Sequence, residues 1–422
     1  MKLQKIINRL QKLHPKEIDL SLDRIKNLCE KLGNPQDEIN CIQVCGTNGK
    51  GSTISFLRSI LKEADIKCNI YTSPHIKRIN ERFIYNDEMI SDDDLSNLLS
   101  EIEEINNGQP LTYFEALTAA FFYGCKKYKK NLTITEFGLF GRGDAVNILK
   151  KNLCNIVTSC SEDHLDWLPK NDRNIKRIIF EKTSSLLDSN IIVAKQSSDE
   201  ITKCIKKNIS NNSANKYYFN ENYNFVLKEN NFFYYEDNYG GLKIPRPNLN
   251  GQFQLENAST AIATLRILEN LKIKDQQIID GIQKASNIAR LEEIKSGKLK
   301  ELVQNNKLIL DSSHNPGGSK ALNEYLETLD CKKHIIIGMM ANKDHKKYIS
   351  YFKDIASLTT IDIPNQPNAI SGKDLKDKFK TIPNVQYKKN IKEAIQSVNL
   401  AENDLLVITG SIYLSGEFLN LN

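Results

Sequence analysis

Residues Val44 to Thr53 read Val-Cys-Gly-Thr-Asn-Gly-Lys-Gly-Ser-Thr, three glycines around one lysine with two hydroxyls behind it. This is a composition suited to holding phosphate. Gly46, Gly49 and Gly51 let backbone N–H groups of this turn, which includes the candidate binding residues Thr47 and Asn48, curl around anionic oxygens, and Lys50 adds a point cation. Ser52, followed by Thr53, then offers a hydroxyl to Mg²⁺. The spacing departs from the common nucleotide loop Gly-x-x-x-x-Gly-Lys-[Ser/Thr]: two residues separate Gly46 from Gly49, and an extra glycine follows the lysine. A second candidate is Glu136, at the end of the apolar run Leu132 to Phe137. A carboxylate there faces the crevice beyond the strand ends, where an α/β sheet takes its ligand, and hard Mg²⁺ shares such oxygens with phosphate.

Positioning these groups requires strands that feed helices. Cys41 to Cys45 has strand character, and Phe56, Leu57, Ile60 and Leu61 share a helical face, so the glycine turn sits at a helix N-terminus. Two short helices are expected before residue 32. After the loop, strands at Lys67 to Thr72, Leu132 to Phe137 and Asn155 to Ser159 alternate with helices at Asp92 to Ile105 and Phe114 to Tyr128. Such alternation predicts a parallel sheet covered on both faces. The aromatic texture from Lys216 to Leu242 predicts a small antiparallel hairpin insertion. Helices follow at Phe253 to Leu268 and Asp275 to Ala285. Strands at Leu308 to Leu310, Ile335 to Ile337, Thr360 to Ile363 and Leu405 to Ile408 then announce a second, smaller Rossmann-like α/β domain. The expected division is 1–288 and 289–422, with a hinge in Asn287 to Gly297.

Several motifs resemble the folylpolyglutamate synthase and dihydrofolate synthase family, cousins of the Mur ligases, along nearly the whole chain. They begin with Gly-Thr-Asn-Gly-Lys-Gly-Ser itself and continue with Thr72-Ser73-Pro74-His75, whose serine the resemblance assigns to the first Mg²⁺. Asn80-Glu81-Arg82 lies beside the family's pterin site. In Glu-Phe-Gly-Leu-Phe-Gly-Arg-Gly-Asp from Glu136, Asp144 corresponds to a pterin-contacting aspartate, and Phe114 to an aromatic that packs on the pterin. Phe140 and Gly143 depart from the family pattern. Ser161-Glu162-Asp163-His164 resembles the Asp-His motif that assigns His164 to a second metal, with Ser161 where a glycine is usual. Lys182 in Phe-Glu-Lys matches the lysine that the superfamily carbamylates. Asn257 resembles the adenine-side asparagine and Arg290 the phosphate-binding arginine. Asp311 and His314, in Asp-Ser-Ser-His-Asn-Pro-Gly, correspond to residues near ribose, phosphate and the incoming glutamate, with Ser312-Ser313 replacing Gly-Ala. Gly338 to Asp344 and Gly410 to Leu414 also resemble family segments.

The bulk numbers agree with such an enzyme. At 422 residues the chain exceeds one ordinary domain, and 40% hydrophobic content supplies real cores. Lys+Arg 58 against Asp+Glu 52 gives a net charge of +6 without a basic block, which argues against nucleic acid and for small anions. The 9 cysteines never form Cys-x-x-Cys and read as free thiols. Lys2, Lys5, Arg9, Lys12 and Lys16 interrupt any signal-peptide core, and no run approaches the about 20 apolar residues of a membrane helix. A cytoplasmic monomer is expected. The resemblance implies an ATP-dependent ligase, with ATP and two Mg²⁺, that joins L-glutamate to dihydropteroate, to reduced folates, or to both. A Mur-type ligase of peptidoglycan precursors and a noncatalytic nucleotide-gated module are the other readings.

Overall fold

A computed structural model describes residues 2–16, 19–229, 231–380, 382 and 384–422 of the chain. Contacts divide it into two units. The first comprises Met1–Cys160, Asn174–Arg246 and Glu256–Ala285, and the second Ser161–Arg173, Pro247–Leu255 and Ser286–Asn422. The stretches 161–173 and 247–255 thus group with residues distant in sequence.

In the first unit an eight-stranded sheet contains β1 (Asn40–Cys45), β2 (Cys68–Tyr71), β3 (Phe83–Tyr85), β4 (Glu88–Met89), β5 (Leu132–Glu136), β6 (Cys154–Val157), β7 (Asn190–Val193) and β8 (Lys216–Tyr218). Their order is β4-β3-β2-β5-β1-β6-β7-β8. The strands from β2 to β8 pair in parallel, and β3 and β4 close one edge antiparallel. Every residue of β5, and all of β1 after Asn40, is buried, as expected for central strands covered on both faces. Helices hold this arrangement through their caps. Ser91 accepts from Asp94 N–H to start Asp92–Asn106, whose three leading aspartates complement the helix dipole. Thr112 and Glu115 form a reciprocal capping box for Tyr113–Cys125. The latter helix brings Phe121 onto Tyr71, with ring centroids 4.9 Å apart, and leaves Phe114 half-buried at its first turn.

The aromatic insertion differs in extent from its sequence reading. Lys216–Tyr218 is not part of it: as β8 this segment pairs in parallel with β7. The insertion is the three-stranded antiparallel sheet of β9 (Tyr223–Glu229), β10 (Phe232–Asp237) and β11 (Gly240–Pro245). Alternating aromatics suit either role, and the choice of partner strand is not a local property.

The second unit carries a sheet of β12 (Glu292–Glu293), β13 (Lys307–Leu310), β14 (Lys333–Ile337), β15 (Ile355–Ile361), β16 (Val385–Lys388) and β17 (Leu405–Thr409), in the order β12-β13-β17-β14-β15-β16. All pairings are parallel except β12 with β13. Among the described residues no helix is long and apolar enough to cross a membrane. All nine cysteines are unpaired, and burial pushes the Cys45 thiol up to about 12, so it stays protonated and inert.

Candidate active site

The first unit builds its phosphate cradle where β1 ends and the helix Lys50–Glu63 begins. Gly46 and Gly49 take φ of 129° and 92°, a region closed to most side chains. Space forbids them too: a Cβ on Gly46 would strike Thr158 Oγ1, and one on Gly49 would lie 2.5 Å from Asn257 Oδ1. Asn257, on the helix Phe253–Ile267, therefore stands against the cradle. Thr47 and Asn48 both donate their N–H to Ser159 O, at 2.9 and 3.0 Å, which pins the loop to the segment after β6. Lys50 folds back, donating to Gly46 O at 3.2 Å and Thr47 O at 3.3 Å, with Glu136 Oε1 3.7 Å away. Glu136 is 7% exposed, and its other oxygen accepts Ser73 N–H at 3.1 Å.

Beside that carboxylate, Ser73 Oγ is shut off from water without a hydrogen-bond partner, and so is Thr53 Oγ1 in the helix's first turn. Buried hydroxyls rarely stay unsatisfied unless a ligand or ion completes them. A carboxylate, a serine hydroxyl and a glycine cradle are a fitting donor set for Mg²⁺ carried with a nucleotide, since that ion keeps few protein ligands. No cluster of three His, Cys, Asp or Glu suited to a metal exists among the described residues.

A loop after β5 forms the neighbouring wall. Asp144 is 2% exposed and ties this loop into a knot: Oδ2 accepts Leu139 N–H at 2.9 Å and Oδ1 accepts Val146 N–H at 3.0 Å. Burial raises its pKa to about 6, against the pull of those N–H groups. Phe114 lies across the loop, so close that a Cβ on Gly138 would sit 2.8 Å from its ring. The departures at Phe140 and Gly143 are absorbed here: Phe140 is buried under the Lys182 ammonium, 5.6 Å from its ring centroid, and Gly143 has φ of 76°. Lys182 is itself 3% exposed and donates to Leu139 O at 2.7 Å. Its neighbour Glu181 is gripped by Arg142 at 3.2 Å and Arg177 at 2.5 Å, fastening the helix Ile175–Thr183 to the loop. Arg82 Nε donates to His75 Nδ1 at 3.0 Å, and burial together with that guanidinium lowers the His75 pKa to about 4. Both residues thus have fixed orientations.

In the second unit the carboxylate of Asp311 is committed to the backbone. It accepts Leu291 N–H at 3.0 Å and Ser313 N–H at 2.9 Å. Ala289 and Leu291, on either side of Arg290, have φ of 53° and 48°, a conformation that costs a non-glycine residue energy. Asp311 therefore holds the bend that presents Arg290. The Ser312-Ser313 departure is also satisfied, with Ser312 Oγ on Ser415 Oγ at 2.8 Å and Ser313 Oγ between Tyr348 and Thr409 hydroxyls at 3.0 and 3.1 Å. His314 Nδ1 lies 3.0 Å from Ser312 O, and its Nε2 lies 3.4 Å from Asp163 Oδ2.

Asp163 is the residue that sequence reading missed. His164, which follows Ser161-Glu162-Asp163, was singled out there, yet the buried carboxylate before it is the hub. Burial would push its pKa up, but the His314 hydrogen bond and the charges of His164, His314 and Lys343 hold it well below the usual range. Lys343 was legible only as part of a segment resembling the family, with no role attached.

A glycine cradle with its lysine at the carboxyl edge of a parallel sheet, in a chain that also folds a second, mainly parallel α/β unit, defines a nucleotide-using α/β protein. Known proteins sharpen this. The Mur ligase middle domain matches residues 44–265, and the Mur ligase glutamate ligase domain matches 297–412. The chain is 30% identical over 415 residues to the dihydrofolate synthase/folylpolyglutamate synthase of Bacillus subtilis, covering 93% of this chain and 92% of that protein. It is 29% identical over 437 residues to its namesake from Haemophilus influenzae, covering 98% and 95%. Among solved structures, E. coli FolC in complex with DHPP and ADP aligns with a TM-score of 0.88 at 26% identity, over 99% of this chain and 97% of that one. The Yersinia pestis bifunctional enzyme complexed with AMPPNP and Mn ion aligns at 0.86 and 26%, with the same coverage. The chain belongs to the dihydrofolate synthase/folylpolyglutamate synthase family of Mur ligases.

Proposed function

We propose that the protein is an ATP-dependent amide ligase that adds L-glutamate to dihydropteroate, to reduced folates, or to both. The observation that carries this is the cradle at Gly46 to Ser52 with Lys50 beside Glu136, in a chain of which the relatives from Bacillus subtilis and Haemophilus influenzae match 93% and 98%. Residues 1–288 would serve ATP and the pterin, and 289–422 the amino acid.

A carboxylate cannot expel oxide, so it must first be activated. A carboxylate oxygen of the pterin substrate attacks the γ-phosphorus of ATP, the bond to the bridging oxygen breaks, and ADP leaves an acyl phosphate. Lys50, fixed over its own loop, neutralises the charge that moves with the phosphoryl group. The amine of L-glutamate then attacks the acyl carbon, loses a proton and expels phosphate. Ser52, Ser73 and Glu136 would hold Mg²⁺, which when bound spreads the phosphate charge. Phe114, on Gly138, offers a flat apolar wall to the pterin, and Asp144 and Arg82 orient its polar edge. Asn257 is placed against the cradle for the adenosine side. Arg290, Asp311 and His314 are assigned to phosphate, ribose and glutamate by resemblance, with Asp311 acting through the bend it holds.

Lys182 as a carbamate, and a second Mg²⁺ shared with His164, belong to the same proposal. A carbamate keeps one N–H, so the bond to Leu139 O survives the modification while the charge changes sign. Labelled bicarbonate should give a carbamate ¹³C signal that Lys182→Ala lacks, and an unmodified, fully active Lys182 would remove this part. The primary test is steady-state turnover. ADP release should require the pterin carboxylate and L-glutamate together, whereas steady ATP hydrolysis without amide product would refute the ligase.

A further inference from the structure

The segment 161–173 is strapped at three points to the turn at 342–344 and the short helix His345–Ile349 that follows it. Lys347 meets Glu162 at 2.5 Å, Lys343 meets Asp163 at 2.5 Å, and Asn342 donates to Asp166 at 3.1 Å. They are not equivalent. The Lys347–Glu162 pair is exposed, at 45% and 35%, and water and salt screen it. The Lys343–Asp163 pair is 12% and 4% exposed, so removing either partner strands a charge out of water.

Asp163 also accepts more than Lys343 supplies. Oδ1 takes His164 N–H at 2.9 Å as well as the ammonium, and Oδ2 takes Asn315 Nδ2 at 3.1 Å and faces His314 Nε2 at 3.4 Å. Each contact fixes something. The bond to His164 N–H sits where that residue holds φ 57° and ψ 27°, an unfavourable conformation for a non-glycine side chain. Asn315 caps the helix Pro316–Glu327 through Gly318 N–H, so Asp163 is tied to the start of that helix. His314 is held between Ser312 O on one ring nitrogen and Asp163 on the other, which sets the plane of its imidazole.

We propose that Asp163 is a positioning residue for ligation: one buried carboxylate, paired with Lys343, sets both His164 and His314. The kinetic consequence rests on the ligase reading; the strap itself does not. Trp167, the only tryptophan of the chain and 40% exposed, lies four residues beyond Asp163 and reports on the segment directly.

The test uses Asp163→Asn, Lys343→Met and the double variant in the full chain. An asparagine presents an NH₂ to donors that need an acceptor, and methionine keeps the stem of lysine without its charge. Acrylamide quenching of Trp167 should rise about equally in all three, kcat should fall at least tenfold with KM for ATP within about twofold, and the double variant should be no worse than the worse single one, as expected of a single coupled unit. If Asp163→Asn does not fold, Lys343→Met alone must show the quenching and the kcat loss. Unchanged quenching overturns the strap whatever the activity. Raised quenching with wild-type kcat in an active ligase, or losses that multiply, overturns the positioning role. If the wild type makes no amide product, the ligase reading fails while the quenching result still decides the strap.

Discussion

Lys50 reaches back over Gly46 and Thr47, within 3.7 Å of Glu136, so its charge is fixed over the loop proposed to cradle the phosphates. Lys50→Ala should lower kcat by about 10²–10³-fold while pterin affinity, read by direct titration, stays close to wild type. Normal turnover at saturating ATP would dismiss it from catalysis. Asp144 carries a different expectation. Its folded pKa, about 6, lies above the value near 4 of an unfolded chain, so the folded state binds the proton more tightly. Its contribution is fullest below pH 4 and is lost as pH rises through 6, on the order of 2–3 kcal/mol. Chemical denaturation should therefore show the stability deficit of Asp144→Asn narrowing between pH 4 and pH 7; a constant deficit would mean that the carboxyl titrates normally. Lys50 and Glu136 were legible in the sequence because a glycine turn and a strand end are local signals. Asp163 was not: its bonds to Asn315 and Lys343 span 152 and 180 residues.

At the scale of elements, the bend at Ala289–Leu291 joins backbone strain to one side chain. Asp311→Ala would leave Leu291 and Ser313 N–H groups without their acceptor, at about 1–3 kcal/mol each. We expect a lowered Tm and a raised KM for ATP, because Arg290 loses its fixed setting; a lowered Tm with unchanged KM would separate Arg290 from the bend. Asp311→Asn, which keeps one acceptor, should fall between. The sequence placed Asp311 near the ribose by resemblance, and nothing local in Asp-Ser-Ser-His could say that both oxygens turn to backbone. The same limit explains β8. Lys216–Tyr218 carries the aromatic texture of the insertion that follows it, and only the vacant edge of β7 decides where it pairs. By contrast, β1, β5 and β17 were clear as short apolar runs, since central strands are buried on both faces.

For the whole molecule, an order of strands and helices that alternates predicted two α/β regions, and the chain contains two compact units with mainly parallel sheets. Their composition in residues was not legible, because 161–173 and 247–255 are assigned by distant contacts rather than by any break in texture. A ligase with this cradle should depend on a divalent cation for turnover. Chelation should abolish ADP release and added Mg²⁺ restore it, while activity that persists in chelator would leave Ser73 and Glu136 without that role. The chemistry itself leaves an isotopic record. When the carboxylate of the pterin substrate is labelled with oxygen-18 and turned over with ATP and L-glutamate, one labelled oxygen should appear in the released phosphate and the other remain in the amide. Phosphate free of label alongside amide product would contradict activation of the carboxylate by ATP.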